Sequence, residues 1–232
     1  VSEDTNKNIF DAGIKYCVDD ACLPVKIFHG HVNFLKDKCD LVVIPRIMQL
    51  WKNEYICPKF CGLPEMVLNN LNGLPPAITD PIYATSWKNL YSWAQKSGNL
   101  LGKNNRQIKV AFNKAIEAQK NHKTGIDDEG YEIKIALTGH PYNIYDKFLN
   151  MNLVKKINNL GMGIRTAEFT QEDILAREAD NLYKRPFWTF VRENYGFALN
   201  SAKEKKVDGI IYVSSFNCGT DSVIIELIKN GL

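Results

Sequence analysis

The sequence contains no long hydrophobic run. Its longest apolar stretches, such as residues 41–45 and 210–213, are only a few residues long, whereas a membrane-spanning helix needs roughly 18 or more. The first six residues are polar and do not resemble a signal peptide, and the chain does not begin with methionine. We therefore expect a cytoplasmic chain with no membrane partner, processed or trimmed at its start.

The sequence also lacks a large excess of positive or negative charge. The chain has 29 Lys and Arg against 26 Asp and Glu, and the net charge of +3 is too weak to indicate a nucleic-acid partner. Glycine-rich phosphate loops are absent, because neither a Gly-x-Gly-x-x-Gly pattern nor a Walker A pattern occurs. Any ATP hydrolysis linked to this chain is therefore expected to come from a partner protein.

What the sequence does contain is an alternation of apolar strand and helix patterns. Its composition, 45% hydrophobic and 24% charged, is that of a globular protein. Strands are predicted at residues 41–45, 77–79, 132–138, 164–169 and 209–214, and helices at 8–16, 24–35, 62–71, 86–119 with a break near 98–102, 148–160, 187–205 and 222–229. This alternation predicts an α/β fold with mostly parallel sheets. We divide the chain into two α/β lobes, residues 1–125 and 126–232.

Three of the six cysteines share one setting. Cys22 precedes the helix that opens at Pro24, Cys57 precedes the helix near residue 62, and Cys218 lies between the last strand and the last helix. The positive end of a helix lowers the pKa of a nearby thiol and favours anions, including thiolate-held iron–sulfur clusters. Because the cytosol is reducing, metal-binding or redox roles are expected rather than disulfides.

The other cysteines give weaker signals. Cys17 and Cys39 are interpreted as buried structural residues. Cys61 follows Cys57 by four residues, a spacing that matches no standard zinc or ferredoxin pattern. Whether Cys61 is a fourth ligand is left open. A further alternative is that all six thiols are buried small apolar groups, as cysteine often is, in an α/β binding module without a metal.

Ligands of parallel α/β sheets bind beyond the carboxyl ends of the strands. His140 follows one predicted strand, and Ser215 and Asn217 follow the last one, so these residues are candidates to line a pocket or to donate hydrogen bonds to a cluster or a phosphate. His31, Glu65 and His140 are the candidates for proton transfer. His31 and His29 lie two apart in a predicted helix, so they face different sides and cannot jointly bind a metal.

Blocks distributed along the chain carry a resemblance to a known family. They are, in order, residues 19–31 (DDACLPVKIFHGH), 44–46 (IPR), 57–64 (CPKFCGLP), 139–146 (GHPYNIYD) and 215–219 (SFNCG). Together they resemble the acyl-CoA dehydratase activase-related proteins, relatives of the subunits of 2-hydroxyacyl-CoA dehydratases from anaerobic bacteria. The resemblance extends from about residue 5 to the end of the chain. Family chains usually continue beyond both ends, so trimming at both termini is expected.

The resemblance implies two Rossmann-like (flavodoxin-like) lobes with a cleft between them. It also implies a [4Fe–4S] cluster, because Cys22, Cys57 and Cys218 match the family's cysteine positions. An ATP-hydrolysing iron–sulfur activator protein would supply low-potential electrons, used to reduce or dehydrate a small substrate such as a CoA thioester. Two alternatives stay open: an electron-transfer or cluster-carrying partner without its own substrate, with Cys61 completing a closed site, and the metal-free binding module.

Overall fold

The computed structural model describes residues 1–232. Its helices are α1 (Lys7–Tyr16), α2 (Leu23–Leu35), α3 (Pro58–Cys61), α4 (Leu63–Asn70), α5 (Trp87–Leu100), α6 (Asn105–Asn121), α7 (Pro141–Tyr145), α8 (Leu153–Asn159), α9 (Glu172–Ala179), α10 (Thr189–Lys203) and α11 (Gly219–Gly231). Its strands are β1 (Val42–Val43), β2 (Arg46–Gln49), β3 (Ala77–Ile78), β4 (Pro81–Tyr83), β5 (Ile133–Gly139), β6 (Met162–Arg165) and β7 (Gly209–Val213). Every strand pairs in parallel with its neighbours, which confirms the predicted α/β class.

The chain forms two compact units. The first contains residues 1–35 together with 125–232, and the second contains residues 36–124. This grouping differs from the predicted lobes by placing the first 35 residues with the second half of the chain. None of the eleven helices combines the length and the apolar character that crossing a bilayer requires.

The first unit is built around a three-stranded sheet in the order β6–β5–β7. Successive side chains of a strand point to opposite faces, and both faces of β5 pack against helices. Ile135 and Leu137 pack in one cluster with residues of α7 and α8, whereas Ala136 packs with Leu175 of α9 and Phe197 of α10. The central strand is thereby covered by helices on both faces, which explains its nearly continuous apolar sequence.

The carboxyl ends of β5 and β7 lie side by side, because Gly139 is in register with Val213. Gly139 has a φ of +143°, and a Cβ atom built there would lie 2.4 Å from the Val213 carbonyl oxygen. Only glycine fits this close approach. The loop that begins at His140 is therefore placed directly beside the loop that begins at Ser214.

The second unit contains two short parallel pairs, β1 with β3 and β2 with β4. No strand or helix was predicted within residues 46–61, but they include β2 and the one-turn helix α3. The predicted break in the long helix is confirmed: α5 ends at Leu100, Gly102 adopts a φ of +67°, and Asn104 begins α6 with a reciprocal capping box with Gln107.

Candidate metal and thiolate site

A histidine, a cysteine and an aspartate meet at the carboxyl edge of the three-stranded sheet. His140 follows β5 directly, Cys218 is the residue before α11, and Asp221 lies in the first turn of α11. Nε2 of His140 lies 3.0 Å from Oδ1 of Asp221 and 3.9 Å from Sγ of Cys218. The exposed fractions of His140 and Asp221 are 3% and 0%. The pair is thus held in the protein interior, with the thiol beside it.

Neighbouring side chains fix this pair in place. The Tyr212 hydroxyl donates a hydrogen bond of 2.8 Å to Oδ1 of Asp221, and Asn194 donates one of 3.3 Å to the Tyr212 hydroxyl. The His140 ring stacks on Tyr142, with centroids 5.1 Å apart, and meets Phe190 edge-on at 5.4 Å. Because the ring is packed on its face and its edge, the direction of Nε2 is set before any ligand binds.

The three groups shift one another's pKa values. Burial lowers the pKa of His140, but hydrogen bonds with Asp221 and Cys218 outweigh this and raise it to about 9. Burial raises the pKa of Asp221, yet its hydrogen bond with His140 leaves the pKa below the usual value. Burial also raises the pKa of Cys218, but hydrogen bonds with His140 and Thr220 leave that pKa lowered. The site therefore favours an imidazolium whose Nε2 faces both the Asp221 carboxylate and the Cys218 thiolate.

The lowered pKa of the Cys218 thiol predicts how the rate of its alkylation depends on pH. In the reduced, metal-free protein, the pH profile of iodoacetamide modification at Cys218 should have its inflection below that of an ordinary cysteine thiol, because only the thiolate reacts. In His140→Gln the inflection should move to higher pH, since the favourable imidazolium is lost. Peptide mass spectrometry over a pH series measures both profiles. An unchanged inflection in the variant contradicts the assignment.

Cys218 lies on the wall of an open depression of about 590 Å³. Its polar lining includes Asp20, Ser215 and Asn217, and the loop from residue 214 to 218 forms one side. Ser215 donates a hydrogen bond of 2.5 Å to Asn143 Oδ1, and Asn217 adopts a left-handed φ of 64°. The structure thus brings together the predicted residues His140, Ser215, Asn217 and Cys218, all within the first unit.

The other predicted cysteines also lie at the starts of helices. Cys22 is buried just before α2, and its carbonyl oxygen accepts a hydrogen bond from the Val25 amide. It belongs to the first unit. Cys57 is the N-cap of α3 and belongs to the second unit. No disulfide links any of the six cysteines.

Cys61 lies close to Cys57 at the other end of α3. Burial raises the pKa of Cys61, the charge of Cys57 raises it further, and the charge of Arg46 opposes both. The Cys61 thiol donates to the Ile56 carbonyl oxygen at 3.5 Å. Arg46 forms an ion pair with Glu65, one of the proton-transfer candidates. A pair of thiols, a guanidinium and a carboxylate are therefore grouped at the start of α3 and α4.

His31, the remaining proton-transfer candidate, belongs to a separate polar network in the first unit. Its Nε2 lies 3.0 Å from the Thr5 hydroxyl, which donates to Asp146 at 2.5 Å. Burial lowers the pKa of His31, which favours the neutral imidazole. His29 is fully buried, with Nδ1 2.8 Å from the Val25 carbonyl oxygen. This geometry gives His29 a structural role.

Asp221 and Tyr212 were not predicted from the sequence. The signal for Asp221 was present, because it lies on the same face of α11 as the buried Ile224 and Ile228, at helical spacings of three and seven residues. A carboxylate on an apolar stripe requires a partner in the interior. Tyr212 carries no comparable signal, since an aromatic residue in a strand is ordinary.

The fold and the site define an α/β protein with a buried His–Asp pair beside a thiol of lowered pKa at the carboxyl edge of a parallel sheet. The model of one family, described as the CoA enzyme activase uncharacterised domain (DUF2229), matches residues 1–169 of the 232 in the chain. The chain therefore belongs to this family, which confirms the predicted activase-related resemblance. The match includes Cys22, Cys57 and His140 but ends before Cys218. Searches of curated proteins and of solved structures found no match.

Proposed function

We propose that this chain binds a [4Fe–4S] cluster through Cys22, Cys57 and Cys218 and works in the reduction or dehydration of a small substrate. The observation that carries the proposal is membership of a CoA enzyme activase family combined with a thiol of lowered pKa at a helix start. All three thiols occupy helix starts, where the partial positive charge favours thiolate ligands. Soft thiolates are the donors that iron–sulfur clusters require, so the residues fit the group.

When bound, such a cluster supplies low-potential electron transfer. The surrounding residues then have separate tasks. His140 holds a proton at Nε2 near the Cys218 sulfur, and Asp221 and Tyr212 keep the imidazole in that orientation. The depression beside Cys218 offers Ser215 and Asn217 as hydrogen-bonding groups for a small substrate such as a CoA thioester.

The electron source is proposed to be a separate ATP-hydrolysing iron–sulfur activator protein. Neither a Gly-x-Gly-x-x-Gly pattern nor a Walker A pattern occurs in the sequence, and the name of the family links it to activation of CoA enzymes. In this proposal, ATP binding belongs to the partner and electron acceptance to the present chain.

The proposal is tested by replacing each cysteine with serine in protein made and purified without oxygen. Cys22→Ser, Cys57→Ser and Cys218→Ser should each remove most of the iron and the broad visible absorbance. Cys17→Ser and Cys39→Ser are the matched controls and should retain both. Iron retained in all three of the first variants would refute the assignment.

A second candidate function is that of a cluster carrier without its own substrate. The neighbouring Cys57 and Cys61 thiols favour it, because a fourth cysteine would close the coordination of the cluster. Cys61→Ser distinguishes the two. Loss of bound iron in that variant supports the closed carrier, whereas full iron content supports the open site, in which Cys61 is not a ligand.

A further inference from the structure

We propose that His140, Cys218 and Asp221 form a binding site for a single thiophilic divalent metal ion, such as Zn²⁺ or Fe²⁺. Their donor atoms all lie within 4.8 Å of one another. All three belong to the first unit, so this site needs neither Cys57 nor any other residue of the second unit. The inference does not rest on the cluster proposed above, but the two sites share Cys218 and therefore exclude each other.

The convergence of donors on one nitrogen carries the inference. In a catalytic Cys–His–Asp arrangement, the thiol and the carboxylate contact opposite nitrogens of the ring. Here both approach the same atom, Nε2 of His140. One nitrogen carries at most one proton, so it cannot hydrogen-bond well to both partners at once. A metal ion can use three donor atoms that lie this close together, because it replaces the shared proton.

The distances agree with this interpretation. Tetrahedral zinc with bonds of about 2.3 Å to sulfur and about 2.05 Å to nitrogen or oxygen places S and N about 3.6 Å apart and N and O about 3.3 Å apart. The corresponding distances in the structure are 3.9 and 3.0 Å. Both distances therefore lie within a few tenths of an ångström of those in a tetrahedral site.

The buried carboxylate gives a second, independent observation. Asp221 is completely buried, and its Oδ2 atom has no hydrogen-bond partner. A buried acceptor left unsatisfied is costly, and such groups frequently mark an ion site. A metal ion bound by both carboxylate oxygens, Oδ1 and Oδ2, would satisfy this atom. A thiolate, a carboxylate and a neutral imidazole also carry two negative charges, which a divalent cation neutralises.

The donor set indicates which ions can bind. Sulfur and nitrogen ligands suit Zn²⁺, Fe²⁺ and Co²⁺, whereas Mg²⁺ and Ca²⁺ require oxygen ligands. Cys218 is the one member of the three that lines the open depression. A fourth position directed along that wall is left for water or for a substrate atom, as in catalytic zinc sites.

Cobalt titration of the reduced full chain without oxygen tests the site. We expect one Co²⁺ per chain, with a thiolate-to-cobalt absorption band, and a rise in Tm of about 5 °C at a large excess over Kd. Cys218→Ser should abolish the band, and Asp221→Asn and His140→Gln should weaken binding by more than about 100-fold, because even outer ligand partners cost 10–100-fold. Cys17→Ser and Cys39→Ser are the matched controls and should bind cobalt unchanged.

Several outcomes would overturn the site. They are the absence of a thiolate band, a band that survives in Cys218→Ser, or a band that is lost in Cys57→Ser. Cys218→Ser changes one atom of a half-buried side chain, so we expect the variant to fold. Its circular dichroism spectrum and its Tm in the metal-free state verify this. Iron content reports separately on the cluster, because Cys57→Ser is expected to remove the cluster and to retain cobalt binding.

Discussion

Replacing Gly30 with alanine should destabilise the protein by more than about 3 kcal/mol, at the upper end of the usual cost of overpacking. Gly30 lies in α2, and a Cβ atom built on it would stand 1.9 Å from the Ile9 carbonyl oxygen of α1. Real Cβ atoms essentially never come within 3.0 Å of another heavy atom. The two helices would have to separate by about an ångström, which opens gaps along their interface.

A glycine of each helix packs against the backbone of the other, so a local shift of one helix cannot easily remove the clash. A Cβ atom on Gly13 of α1 would stand 2.1 Å from the Lys26 carbonyl oxygen of α2. Urea unfolding monitored by circular dichroism measures the loss of stability, and a decrease in Tm of roughly 6 to 12 °C should accompany it in a chain of this length. The greater helix propensity of alanine, about 1 kcal/mol, does not compensate.

Gly62→Ala is the matched control. Gly62 has a φ of −92°, and its added Cβ would meet nothing closer than 3.6 Å. We expect a change within about 0.5 kcal/mol. A Gly30→Ala variant as stable as this control would contradict the close helix packing.

The second large effect is expected for Asp221→Asn, which should cost about 3 kcal/mol at pH 6 to 7. The substitution preserves volume but leaves His140 buried without its carboxylate partner, and breaking one side of a buried ion pair is strongly destabilising. Urea unfolding measures this cost. Asp180→Asn removes a carboxylate from an exposed pair with Arg185 and is the control, with an expected effect within about 0.5 kcal/mol.

The cost of Asp221→Asn should depend on pH in a defined direction. The pKa of folded His140, about 9, lies above its unfolded value of about 6.5. The stability contributed by the protonated pair is therefore fully present below pH 6.5 and is lost as the pH rises through about 9. The difference between wild type and variant should shrink over that interval. A difference that stays constant to pH 10 would show that the charged pair is not its cause.

Much of the fold follows from local sequence patterns. The helix predicted at residues 8–16 corresponds to α1, and the strand at 209–214 corresponds to β7. The helix predicted at 148–160 is wrong in its first turn, since α8 begins only at Leu153. Met151 and Asn152 adopt left-handed φ values of 52° and 57°, and the Asp146 carboxylate accepts hydrogen bonds from the next turn. Apolar spacing does not reveal such a turn.

The strand predicted at residues 164–169 is wrong in its last residues. Strand β6 ends at Arg165, and residues 167–169 form a short 3₁₀ helix. The Ile126 amide donates to the Thr166 hydroxyl, and the Thr166 amide donates to the Ile126 carbonyl. These contacts, forty residues apart in the chain, end the strand. Such long-range pairing overrides local strand propensity and is not visible in a single sequence.

The candidate site was predicted in part. The rule that ligands bind at the carboxyl ends of parallel strands identified His140 and the residues around Cys218. It did not identify Asp221, because an acidic residue in the first turn of a helix is usually explained by the helix dipole. Its complete burial depends on how α11 packs on the sheet, which is a property of the tertiary structure.

The measurement that tests the central claim most directly is the iron and acid-labile sulfide content of the unmodified full chain. The protein is made without oxygen, and the contents are measured before and after cluster reconstitution. The account predicts about four irons and four sulfides per chain, as in a [4Fe–4S] cluster, with broad visible absorbance. A colourless protein without sulfide after reconstitution would contradict it and leave an α/β domain whose cysteines do not bind a cluster.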